Sequence, residues 1–157
     1  MSTPEGLTIR KARRDDVEAI VDIFRGDEIG HGDAKGPLDL APYLDAFRRI
    51  DASADHVLYV ALIGDQVVGT FQRSLIPGLV ARGRTRMKIE SVHVRGELRS
   101  KGIGAVMMRF ALEEARRLGV GLVELGSNKK RHDAHRFYER LGFEKSHEGF
   151  KMVLSGH

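Results

Sequence analysis

The stretch between residues 86 and 125 constrains the fold more than any other part of the chain, because its hydrophobic period changes twice within a short span. Residues 86–94 alternate polar and apolar side chains, the period of a half-buried strand. A turn containing Gly102 and Gly104 follows. Ile103, Val106, Met107, Phe110, Ala111 and Leu118 then recur at helical spacing up to Gly119, which suits a C-terminal cap. Residues 122–125 form a second short strand. Strand, glycine turn, helix and strand in that order have the length of a right-handed crossover, which sets the two strands parallel. Upstream, the runs 57–63 and 66–71 flank a tight Gly64-Asp65 pair and read as a hairpin. The link from there to residue 86 is too short for a crossover helix, so that junction is antiparallel. The expected class is α/β, with a mixed, largely antiparallel central sheet.

The other segments fit around this sheet. Leu7 and Ile9 alternate as a short strand, and Asp15 is placed to cap a helix carrying Val17, Ile20, Val21 and Phe24. Residues 25–42 are rich in glycine and aspartate without a periodic face, which marks a loop. Leu40, Tyr43, Leu44, Phe47 and Ile50 form a second amphipathic helix. A last helix over residues 134–141, capped by Asp133 and stopped by Gly142, leads into an expected terminal strand pair ending at residues 150–154. No repeat or linker interrupts the chain, so residues 1–157 are read as a single domain.

Composition narrows the chemistry. The chain has no cysteine, which excludes disulfides, thiolate metal sites and a cysteine nucleophile. Apolar runs fall far short of the ~20 residues that span a bilayer, and the start MSTPEG lacks the features of a leader. The expectation is a cytoplasmic protein with no membrane partner. The net charge of +4, with 31% charged and 6% aromatic residues, is modest for a nucleic-acid partner and fits a smaller anion.

Such an anion has an obvious place. Residues 94–105 join a strand to the N-terminus of the long helix, where unpaired N–H groups and the helix dipole favour phosphate, and Arg99 and Lys101 add full charges. A bare glycine pair can also serve a tight turn alone. Two known phosphate motifs fail here. Lys101 precedes Gly102 and no Ser or Thr follows, against the Walker loop, and Met107 stands where a dinucleotide fingerprint needs its third glycine. What remains is R-x-x-G-x-G at Arg99, Gly102 and Gly104. Residues 89–94 precede it, and Ser127-Asn128, Ala134, Phe137-Tyr138 and Gly142-Phe143 follow in the pattern N…A-x-x-F-Y-x-x-x-G-F. In these motifs and their order the chain resembles the GNAT superfamily of acetyl-CoA-dependent N-acetyltransferases. Residues 130–138, with Ser146-His147 and Phe150, also resemble aminoalkylphosphonate N-acetyltransferases. Two positions depart from the pattern: Gly96 stands where proline is usual and Ser100 where glycine is usual. Both leave the loop workable, because backbone amides carry the binding.

The resemblance implies a GNAT fold with about four helices around the sheet and a splay between its fourth and fifth strands. It implies acetyl-CoA as donor, with the pyrophosphate on the backbone of Arg99, Ser100, Lys101, Gly102, Ile103, Gly104 and Ala105, and the pantetheine arm along Val92, His93 and Val94. Asn128 and His135 would contact the cofactor, and Tyr138 would protonate the leaving thiolate. An alkylamine is almost wholly protonated at neutral pH, so a base or a water relay must take a proton. Glu90 is the candidate. Counted by strand parity it faces the same side as Val92 and Val94, beside the thioester, while the alternative is an ion pair with Arg84, Arg86 or Lys88. With no cysteine, direct attack in a ternary complex is the natural route. The expected acceptor is a small-molecule primary amine; a protein amine, an acyl-CoA sensor and a nucleic-acid module are the alternatives. Homodimers are common among the proteins it resembles.

Several other residues have plain alternatives. His132 and His135 lack a third partner for a metal, so no metal site is expected. His31 and Asp33 sit in the glycine-rich loop and either help hold the acceptor or face water. Lys129, Lys130 and Arg131 meet the 3′-phosphate of CoA or, as charge runs usually do, solvent. Arg82, Arg84 and Arg86 precede the central strand, where flanking the acceptor would favour an anionic substrate.

Overall fold

The computed structural model describes residues 4–27, 29–30 and 32–155. Alternation on either side of Gly64, at φ +59°, produces the hairpin of β2 (His56–Ile63) and β3 (Gln66–Ile76). β1 (Leu7–Lys11) pairs antiparallel with β2, β4 (Arg86–Val94) pairs antiparallel with β3, and β5 (Leu122–Leu125) lies parallel to β4. The order β1-β2-β3-β4-β5 is the mixed, largely antiparallel sheet that the period changes require.

Helices cover both faces. α1 (Val17–Arg25) and α2 (Ala41–Asp51) bury Val17, Ile20, Val21, Ile23 and Phe47 against Val60, Leu62 and Val67. A single turn, α3 (Val80–Gly83), links β3 to β4. On the opposite face α4 (Ile103–Arg117) buries Ile103, Met107, Met108 and Ala111 against Ala61, Phe71, Met87 and Ile89. α5 (His132–Arg140) adds Phe137 and Tyr138 at the rim of that second core. Inside it the Tyr59 hydroxyl donates to Glu114 at 2.5 Å and Arg73 donates to the other carboxylate oxygen at 3.0 Å. Burial, and then the Glu114 carboxylate, push Tyr59 up to about 12.

Three expectations are corrected. A 3₁₀ turn over Arg14–Asp16 shifts the start of α1, so Asp16 rather than Asp15 takes the capping position; its carboxylate accepts the Arg13 N–H at 2.7 Å and pairs with Arg10 at 2.7 Å. α5 begins at His132, which puts Asp133 inside the first turn, paired with Arg136. The terminal strand pair does not form: residues 143–155 carry no strand, and Phe150, Met152, Val153 and Leu154 stand exposed.

Candidate functional site

The sheet opens between its fourth and fifth strands. β5 pairs with β4 from Arg86 to Ile89, and β4 then continues to Val94 beyond the last paired residue. Ser91, Val92, His93 and Val94 therefore present a backbone edge without a β5 partner, the edge that an extended amide chain can add to. This is the splay expected above, and it leads directly into the glycine turn.

The turn is built for backbone contact. A 3₁₀ turn, Gly96–Leu98, carries the chain out of β4. Arg99, Ser100 and Lys101 are exposed, and Ser100 and Gly102 both adopt left-handed backbone, at φ +64° and +83°. Gly102 occupies the N-cap of α4 and its carbonyl accepts the Val106 N–H at 3.2 Å, while buried Ile103 anchors the helix start. Gly104 has a different task from the one its motif suggests. A β-carbon there would meet the Phe137 ring at 3.4 Å, so Gly104 sets how closely α5 approaches α4.

A bulge changes the strand parity within β4. Thr70 pairs with His93 and Gln72 with Glu90, so Phe71 alone opposes Ser91 and Val92, and Ser91 takes φ +55°. Ile89, Val92 and Val94 all pack toward α4. Glu90 points to the other face with His93, and the expectation that it shares a side with Val92 and Val94 is corrected. Its side chain is 47% exposed and lies 3.9 Å from Lys88, the pairing weighed as its alternative.

The α1 face of β4 holds a polar knot that sequence reasoning missed. Asp27, whose side chain is 5% exposed, accepts from Arg131 at 2.6 Å and lies 3.1 Å from His93 Nε2. It also accepts the Ile29 N–H at 3.1 Å. Burial alone would raise this carboxyl, but the hydrogen bonds from Arg131, the Ile29 amide and His93 outweigh it and hold Asp27 at about 2. His93 Nδ1 lies 3.0 Å from the Ser91 carbonyl, and its ring tilts against Phe24 at 4.9 Å. Both ring nitrogens thus face acceptor oxygens, one from the Ser91 backbone and one from the Asp27 carboxylate. Arg131 is correspondingly not part of a solvated basic face: it also donates to the Ile29 carbonyl at 3.2 Å. Beside this knot Phe24, Gly30, Asp33, Ser91 and His93 line a cavity of about 220 Å³. Asp33 is fixed there by the Tyr43 hydroxyl at 2.5 Å, and that hydrogen bond, with burial, raises Tyr43 to about 12. His31 lies outside the described residues.

Tyr138 on α5 is half-buried, with Phe137 at 5.1 Å and Phe143 at 6.0 Å between ring centroids. Burial raises its hydroxyl above the ordinary phenol value, against an opposing pull from the Arg131 charge. Asn128 opens the loop before α5: its side chain accepts the Lys130 N–H at 2.9 Å, and its carbonyl accepts the Arg131 N–H at 3.0 Å and lies 2.8 Å from His135 Nε2. His135 therefore braces the loop. Arg84 and Arg86 are found at the far end of β4. Arg86 pairs with Glu124 at 3.2 Å, and Arg84 covers Gly121. At ~3.3 Å per residue this end lies roughly 20 Å along the strand from Val92.

A sheet wedged open beside a glycine-capped helix N-terminus is the framework of a protein that takes an extended, phosphate-bearing cofactor. The pattern of the GNAT acetyltransferase family matches residues 17–143, and the chain belongs to that family, whose members are acyltransferases. The aminoalkylphosphonate N-acetyltransferase of Salmonella typhimurium is 43% identical over 67 residues, 43% of this chain and 44% of that protein. The chain thus matches less than half the length of that relative. An uncharacterized N-acetyltransferase of Bacillus subtilis is 30% identical over 107 residues, 68% of this chain and 74% of that one. Among solved structures, a transcriptional regulator from Bacillus halodurans C-125 is 36% identical with a TM-score of 0.89, covering 94% of this chain and 99% of that one.

Proposed function

We propose that the chain transfers acetyl from acetyl-CoA to the primary amine of a small molecule. The wedge between β4 and β5 carries this reading, because β4 runs on past its last β5 partner, Ile89, to Val94 and leads into the turn before the α4 N-terminus. The residues present suit the cofactor: a left-handed glycine caps α4, and the amides from Arg99 to Ala105 offer the pyrophosphate backbone N–H groups. The unpaired edge at Val92, His93 and Val94 takes the pantetheine arm as an added strand. Asn128 from the loop before α5, and His135 from its first turns, border the arm.

Acetyl-CoA supplies the thioester; the chain positions groups around it. An N–H of the free β4 edge stabilises the charge that develops on the carbonyl oxygen. Glu90, on the face that carries the cavity beside His93, takes the proton that the amine must lose. As the nitrogen–carbon bond formed and the carbon–sulfur bond broke, the Tyr138 hydroxyl would give its proton to the departing sulfur, and the second proton shed by the acylated nitrogen would restore the phenol. The partial likeness to an aminoalkylphosphonate N-acetyltransferase supports a small amine as acceptor.

A screen of amines, amino acids, aminoglycosides and aminoalkylphosphonates for release of the CoA thiol tests this reading. Turnover of at least one small amine is expected. Acetyl-CoA bound with no turnover on any of them overturns it in favour of a sensor. DNA binding that weakens steeply with salt and ignores CoA overturns it in favour of a nucleic-acid module. In the same assay Glu90→Gln is expected to depress the acidic limb of the rate profile. An unchanged profile would assign the proton to water.

A further inference from the structure

On the acetyl transfer proposed above, we infer that the preferred acceptor is a diamine, whose second ammonium is held by the Asp33 carboxylate in the cavity beside His93. The last turn of α1 and the loop after it carry Asp22, Asp27 and Asp33, and two of the three have an arginine. Asp22 pairs with Arg95 at 3.0 Å, and Asp27 pairs with Arg131 at 2.6 Å. Asp33 differs. Its carboxylate accepts the Tyr43 hydroxyl at 2.5 Å, and among the described residues it forms no ion pair. Arg25 reaches the same loop but is turned to backbone, donating to the Asp33 carbonyl at 3.0 Å and to the Gly36 carbonyl at 3.1 Å.

That carboxylate lines the cavity of about 220 Å³ together with Phe24, Gly30, Ser91 and His93, a lining without lysine or arginine. The His93 nitrogens are already turned to the protein, Nε2 toward Asp27 and Nδ1 toward the Ser91 carbonyl. A cation that enters gains a charge-assisted hydrogen bond, about twice as strong as a neutral one, and gives Asp33 the partner that Asp22 and Asp27 already have. A carboxylate or phosphonate in the same place meets a like charge with no guanidinium in the lining to offset it. The size agrees with a slender ligand. The cavity is smaller than the ~300 Å³ at which pockets for drug-sized molecules begin, and the Phe24 ring supplies an apolar wall for a chain of methylenes. Ser91 belongs both to this lining and to the unpaired stretch of β4, so the cavity adjoins the edge proposed to hold the thioester. One amine then lies at that edge while the other rests on Asp33.

The test is the rate of CoA thiol release from acetyl-CoA with linear diamines of three to five methylenes, each set against the monoamine and the ω-amino carboxylate of matching length. For the wild-type chain, kcat/KM is expected to be at least about tenfold higher for a diamine than for its monoamine, and lowest for the amino carboxylate. Asp33→Asn still accepts the Tyr43 hydroxyl but lacks the charge. It is expected to raise KM for the diamine at least about tenfold and to erase the preference over the monoamine. A wild-type chain that acetylates monoamines or amino carboxylates as well as diamines overturns the inference and leaves the proposed acetyl transfer standing. So does a preference for diamines that Asp33→Asn retains. Acetyl-CoA bound with no turnover of any of these amines overturns the acetyl transfer and the diamine together.

Discussion

Ser100 holds its backbone at φ +64°, a conformation that an L side chain occupies at a cost of about 1–2 kcal/mol. Replacing it with glycine, Ser100→Gly, relieves that cost while adding entropy to the unfolded chain, and a net gain of about 0.5–1 kcal/mol is expected in the urea midpoint. A loss of stability would mean that the hydroxyl contributes more than the backbone strain removes. At Tyr138 the expected change is kinetic. Burial keeps the phenol protonated beyond its ordinary range, so the group remains a proton donor throughout neutral pH. Tyr138→Phe is expected to lower kcat by about 10²–10⁴ with acetyl-CoA affinity nearly unchanged, checked by steady-state rates and direct titration. Normal turnover would remove it from the reaction. Tyr138 and the glycine turn were legible because their motifs are local. The side taken by Glu90 was not, since parity counts residues and the bulge at Ser91 adds one.

At the scale of elements, Asp27 ties the loop after α1 to β4 through His93 and to the start of α5 through Arg131. Its depressed pKa makes this tie pH-dependent with a definite sign. The carboxylate contributes stability that is fully present above its unfolded value near 4 and is lost as pH falls through about 2. Asp27→Asn is therefore expected to destabilise the chain by on the order of 2 kcal/mol at pH 6, with the difference shrinking toward zero near pH 2 in parallel urea titrations. A difference that persists at pH 2 would assign the effect to packing. The elements themselves followed from periodicity, and so did the parallel placement of β4 and β5. The knot did not, because its members are separated by 66 and 104 residues and Asp27 sits in a glycine- and aspartate-rich loop with no pattern of its own.

For the whole molecule, the mixed, largely antiparallel sheet was legible from the changes of period and its splay from the family resemblance, while the expected terminal strand pair does not form. Alternation at residues 150–154 is real, but a strand also needs a neighbour, and among the described residues this segment pairs with none. The two cores are fixed in different ways. The one under α4 encloses Tyr59, Glu114 and Arg73 in a buried hydrogen-bonded set, and Tyr59→Phe is expected to cost about 1–3 kcal/mol by leaving Glu114 short of a donor, measurable by thermal unfolding. On the α1 side, the loop bordering the cavity beside His93 is fastened by the contacts of one aspartate and by the bond between Tyr43 and Asp33. Such a wall is modular. A loop grafted between α1 and α2 that keeps Asp27 and Asp33 with their partners is expected to seat on an undisturbed sheet, and on the proposed function it would change acceptor preference while leaving the β4 edge and the α4 N-terminus as they are.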